Sequence, residues 1–124
     1  MISTRAARYL WDVKGAAADI IEFVGSHDFD HYLGDKMLRA AVERQFEIIG
    51  EALAGLRRNF PDLAARIPEL AEIVAFRNAL IHGYASVDDG LVWQTIQTDL
   101  PPLQAKVEQL LQEAPPPEVE GEGT

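Results

Sequence analysis

Apolar residues recur every three or four positions through most of this chain, and no stretch alternates with the period of two that a half-buried strand requires. From Thr4 to Gly25, Ala6, Leu10, Val13, Ala17, Ile20, Ile21 and Val24 fall at helical spacing, with Arg8, Asp12, Asp19 and Glu22 between them. That pattern predicts an amphipathic first helix, closed by Gly25-Ser26-His27-Asp28. Phe29 to Gly34 reads as a connector with a few anchoring aromatics, and Asp35 suits the N-cap of a second helix. Along that helix Leu38, Val42, Phe46, Ile49, Leu53 and Leu56 give the best-patterned apolar stripe in the chain.

Asn59-Phe60-Pro61-Asp62 interrupts the stripe, and the stretch to Arg66 predicts one short helical turn. Pro68 suits the first turn of a third helix, where its missing N–H costs nothing and Glu69 and Glu72 favour the positive dipole end. Its expected buried stripe is Leu70, Ile73, Val74, Leu80 and Ile81, with Gly83 as the C-terminal stop. Val87-Asp88-Asp89 opens a fourth helix carrying Leu91, Val92, Ile96, Leu103, Val107, Leu110 and Leu111, which Pro101-Pro102 should kink or split. The expectation is an all-α, up-and-down bundle of about four helices with one extra helical turn. Residues 1–113 form its single domain, and residues 114–124 form a disordered acidic tail with little to pack.

Composition narrows the chemistry. A chain of 124 residues, 48% hydrophobic and 25% charged, is long enough for one core and has ordinary globular composition. Without cysteine it has no disulfide, thiolate metal site or cysteine nucleophile. No apolar run has the roughly 18 to 20 residues of a membrane span, and the first residues lack a signal-peptide core, so a cytoplasmic location is expected. The net charge of −9 opposes binding to phosphate backbones, whose affinity comes largely from Lys and Arg. The segment from Glu113 to Thr124 carries four acids and no base, however, leaving −5 for the rest, and seven of the eleven basic residues lie between Lys36 and Arg77. A local basic cleft and a mixed, solvated surface both fit that distribution.

The candidate chemistry lies in Arg77-Asn78-Ala79-Leu80-Ile81-His82-Gly83-Tyr84. Arg77 shares a face with Leu70, Val74, Ile81 and Tyr84, and a guanidinium on an apolar face needs partners. It could pair structurally with Glu47, Glu51 or Asp88, or it could serve a ligand. Asn78 and His82 are four apart and share a helical face, whereas Arg77 and His82, five apart, diverge by roughly 140°. Bringing Arg77 and His82 to one atom requires either a turned helix end or a second copy of the chain. His82 read alone is a helix-end cap or a proton-transfer group, and Tyr84 is a core tyrosine or a site residue. His27 and His31, four apart in a Gly- and Asp-rich connector, read as surface residues rather than a metal pair. Gly55 and Gly83 suggest close approach or helix termination.

Taken together, Arg77-Asn78 through His82 to Tyr84 resembles the HEPN superfamily, and more narrowly the HepT-like toxins paired with a minimal nucleotidyltransferase of the MNT type. The likeness extends to Ile48-Ile49-Gly50-Glu51-Ala52 and to Val92-Trp93 through Asp99-Leu100-Pro101, covering about residues 8 to 111. The resemblance implies a metal-independent endoribonuclease that needs no cofactor and works on RNA as a homodimer. In it Arg77 and His82 from both chains line one cleft, with Asn78 in support. It further implies that the nucleotidyltransferase partner silences the toxin by transferring AMP to Tyr84. A non-catalytic helical module that binds or regulates a nucleotidyltransferase is the alternative, and the presence of both Arg77 and His82 favours the enzyme.

Overall fold

The computed structural model describes residues 1–82 and 87–116, and every regular element among them is a helix. α1 spans Thr4–Val24 and starts where the Ser3 hydroxyl accepts a hydrogen bond from the Ala6 N–H at 3.1 Å. It ends at Gly25, whose φ of 52° an L side chain rarely adopts and whose N–H donates to the Ile21 carbonyl. The expected connector is itself helical: α2, Phe29–Gly34, is capped by Asp28 and buries Tyr32 completely. Six residues are too few to show a periodic stripe, so the sequence pattern could not reveal it.

α3, Lys36–Asn59, starts at Asp35 as the sequence predicts, with Oδ1 accepting from the Leu38 N–H at 3.0 Å. All six residues of its predicted stripe are buried. That capping hydrogen bond, first among the causes, holds the Asp35 carboxyl below its usual range. Because the folded value is lowered, the stabilisation is complete above the unfolded value of about 3.9 and is lost as pH falls through the folded value. Asp35→Asn keeps a capping oxygen without the charge, so its stability should fall less than the parent's when urea unfolding is followed from about pH 5 downward. An unchanged acid limb would mean that Asp35 contributes no charge-dependent stability.

α4, Pro61–Ala64, is the predicted extra turn. α5 runs over Leu70–His82; Pro68 lies in the turn just before it, and the Ile73 N–H donates to the Glu69 carbonyl. Pro101-Pro102 splits the expected fourth helix into α6, Asp89–Thr98, and α7, Leu100–Leu111, with proline in the first turn of α7 where its missing donor is harmless. The Asp88 side chain caps α6 by accepting from the Leu91 N–H.

α3 is the central element, packing with α1, α5, α4 and α2, while α7 closes against α1 and α6. Two glycines let its neighbours approach. A Cβ on Gly55 would lie 2.5 Å from Cε1 of Tyr9 on α1, and a Cβ on Gly50 would lie 2.3 Å from Cβ of Arg77 on α5. Five residues separate these glycines, about 140° around the helix, so they open two different sides of α3.

Three expected core residues face solvent instead: Ile21 and Ile81 are 45% and 44% exposed, and Leu91 is also exposed. Each adjoins an apolar residue that turns inward, Ile20, Leu80 and Val92, and neighbours about 100° apart on a helix cannot share one buried position. At the C-terminal end, Ala114 packs against the core, and Pro115 and Pro116 line a groove with Trp11. The first three residues of the expected tail therefore lie against the bundle, and residues 117–124 are outside the described part.

Candidate functional site

α5 stays helical to His82, so the angular divergence between Arg77 and His82 persists within one chain. The inward side of α5 is fixed by aromatic packing: Phe76 meets Phe46 of α3 edge to face, with centroids 5.1 Å apart and planes at 87°. One residue on, the stem of Arg77 lies over Gly50, whose added Cβ would fall 2.3 Å from Arg77 Cβ and 2.4 Å from Cγ. The guanidinium then leaves the interface half-buried, and its Nη1 donates to Asn78 Oδ1 at 2.7 Å.

The structural pairing considered for Arg77 is not formed. Glu47 instead faces Arg44 across 3.7 Å, and Asp88 serves as the α6 cap. Glu51 is exposed and lines a groove of about 410 Å³ with Tyr9, Asp12 and Arg58, on the α1 side of α3. The physical reason is angular. Gly50 is the α3 residue that meets Arg77, and Glu51, its immediate neighbour, points about 100° away. Asn78 touches Arg77 rather than His82. His82 is exposed at the last position of α5. Gly83, the expected stop, and Tyr84, the expected AMP acceptor, lie outside the described residues.

The start of α6 is held by a polar cluster that sequence reasoning missed. Arg39 of α3 reaches Asp89 at the start of α6, Nε to Oδ2 3.9 Å, and donates to the carbonyls of Tyr32 and Leu33. Glu43, one turn along α3, is half-buried; desolvation first, then the nearby Asp89, raises its pKa against the opposing pull of Arg39. The Tyr32 phenol is pushed up by burial and by the same two carboxylates, and its hydroxyl has no hydrogen-bond partner among the described residues. No motif announces this cluster, since its members come from three helices.

Arg39, Arg44 and Arg66 are each paired with an acid, and Lys36 and Arg58 sit about 33 Å apart along α3. The His27 and His31 rings stack at 3.7 Å, with His31 Nε2 3.4 Å from Asp35 Oδ2. Among the described residues no group of three or more His, Asp or Glu could hold a metal ion, and no helix is long and apolar enough to cross a membrane.

A family profile described as Ribonuclease HepT-like matches residues 13–110. A Methanocaldococcus jannaschii protein with a provisional RNase name is 37% identical over 100 residues, spanning 81% of this chain and 91% of its own length. A Thermococcus cleftensis protein provisionally named ribonuclease HepT is 39% identical over 102 residues, 82% of this chain and 92% of that one. A Caldanaerobacter subterraneus protein, again with a provisional RNase name, is 34% identical over 104 residues, 84% and 92% of the two chains. No solved structure matches the chain significantly.

Proposed function

This chain belongs to the HepT-like ribonuclease family, and on that premise we propose that it is a metal-independent endoribonuclease toxin whose reaction is carried by Arg77 and His82. The observation that supports it best is the disposition of α5. One helix holds a guanidinium braced by Gly50 and Asn78, and it ends in a solvent-facing imidazole.

Cleavage of RNA without a metal needs three things: a base for the 2′-hydroxyl proton, an acid for the leaving 5′-oxygen, and a fixed cation at the phosphorane. The 2′-oxygen attacks phosphorus, the bond to the 5′-oxygen breaks, and the products are a 2′,3′-cyclic phosphate and a 5′-hydroxyl. His82 performs the proton transfers, since an imidazole exchanges protons near neutral pH. Arg77 binds the non-bridging oxygens, for which its planar fork is suited. Asn78 holds the guanidinium in place. A homodimer supplies Arg77 from one chain to His82 of the other, which removes the conflict set by their 140° separation.

Tyr84 is the acceptor of AMP from a nucleotidyltransferase partner, and the added phosphodiester and base fill the cleft. Tyr84→Phe should therefore cleave RNA at about the parent rate and resist silencing by that partner with ATP, followed by intact mass and RNA degradation. Silencing of the variant would place the switch elsewhere.

The direct test is the unmodified chain with RNA in EDTA, reading cyclic-phosphate ends. No cleavage, with Tyr84 shown unmodified by mass, would turn the reading toward a helical module that binds the nucleotidyltransferase.

A further inference from the structure

Gly50 occupies the middle of the longest helix in the bundle, a position where glycine lowers helix stability relative to alanine. Its backbone makes no turn and has no positive φ, so conformational freedom does not account for it. What accounts for it is space. A methyl group there would overlap both Cβ and Cγ of Arg77, at 2.3 and 2.4 Å, and would crowd Cδ at 3.2 Å. Cβ and Cγ are the root of the side chain rather than its flexible end. Because the backbone fixes Cβ whatever the rotamer, relief would have to come from moving α5 against α3.

We infer that Gly50 is a positioning residue for the reaction: the seat that sets the depth of α5 against α3 and thereby the place of the Arg77 guanidinium. The inference rests on the assignment of Arg77 to phosphate contact made above. The Phe46–Phe76 pair fixes α5 one turn along the same face, and Asn78 fixes the guanidinium from the solvent side, so Arg77 is held at root and tip. The seat acts on Arg77 and not on substrate, and so it governs the transition state more than binding.

The experiment measures RNA cleavage and urea unfolding of the parent chain, Gly50→Ala, Arg77→Ala and the double variant, with Gly55→Ala as control. Gly55→Ala meets a comparable overlap on the same helix, against Tyr9 rather than the motif. Gly50→Ala is expected to lower kcat by about 10- to 100-fold with a much smaller change in KM, the loss that an ångström of misplacement produces. Gly55→Ala should be destabilised yet keep kcat, and Gly50→Ala should add no further loss of rate in the Arg77→Ala background. A parental kcat for Gly50→Ala, an equal loss in Gly55→Ala, or additive losses in the double variant would each overturn the seat.

Should Gly50→Ala not fold, Gly50→Ala/Arg77→Gly decides, because it deletes the atoms the methyl would meet. Recovery of the helical spectrum seen for Arg77→Gly supports the seat, and failure to recover overturns it. If Arg77→Ala cleaves RNA like the parent, the ribonuclease assignment of Arg77 falls. The seat then stands or falls on unfolding midpoints of Gly50→Ala, Arg77→Gly and their double variant: coupled midpoints support it, and additive ones overturn it.

Discussion

His82→Ala is expected to fold as the parent chain does and to lose RNA cleavage by about 10²- to 10⁴-fold, the range that a positioned acid–base group supplies. The folding half of that expectation comes from position. His82 is the exposed final residue of α5, and substitutions at such sites usually change stability by no more than about 0.5 kcal/mol. The activity half comes from the absence of a substitute nearby on the helix: Asn78, one turn back on the same face, cannot transfer a proton near neutral pH. Circular dichroism and cleavage rates on one preparation separate the two halves. A folded His82→Ala that cleaves at the parent rate would remove His82 from the reaction.

Mixing variants extends this to the dimer. Arg77→Ala and His82→Ala chains are each inactive if both residues are needed. A mixed dimer nevertheless holds one intact pair if Arg77 of one chain serves His82 of the other, and none if the pair lies within a chain. Partial recovery on mixing is the expected result.

Much of the fold was legible from periodicity. The stripe from Leu38 to Leu56, the Asp35 cap, the helix start near Asp88, the turn at Pro61 and the split at Pro101-Pro102 each rest on local interactions, which sequence spacing encodes directly. α2 escaped because six residues cannot display a period, and Ile21, Ile81 and Leu91 were misplaced because a stripe has an edge that spacing does not locate. The motif residues were legible as a set through their resemblance to known toxins, but their partners were not. Reading Arg77 as an ion-pair donor followed from charge, while the structure surrounds its stem with a glycine instead. A glycine inside a strongly patterned helix is the available signal, and both Gly50 and Gly55 carry it. The cluster of Arg39, Glu43, Asp89 and Tyr32 had no signal, because three helices must pack before it exists.

Phe46→Ala is expected to cost about 3–5 kcal/mol of stability, the loss found when a buried phenylalanine leaves a cavity. Phe46 is fully buried and forms the edge-to-face pair with Phe76, whose geometry contributes about 0.5–1.5 kcal/mol beyond burial. With a urea slope of about 2 kcal/mol per molar, the unfolding midpoint should fall by roughly 2 M. Domains of this kind are stable by only about 5–15 kcal/mol, so a substantial unfolded fraction is expected at the weaker end of that range. The consequence reaches the site by a short path. Phe46 and Gly50 are one turn apart on α3, and Phe76 and Arg77 are adjacent on α5, so loosening the aromatic pair loosens the seat of the guanidinium. Cleavage per folded molecule should then fall along with the midpoint. A midpoint shift with an undiminished rate per folded molecule would mean that the α3–α5 contact holds the fold together without holding Arg77.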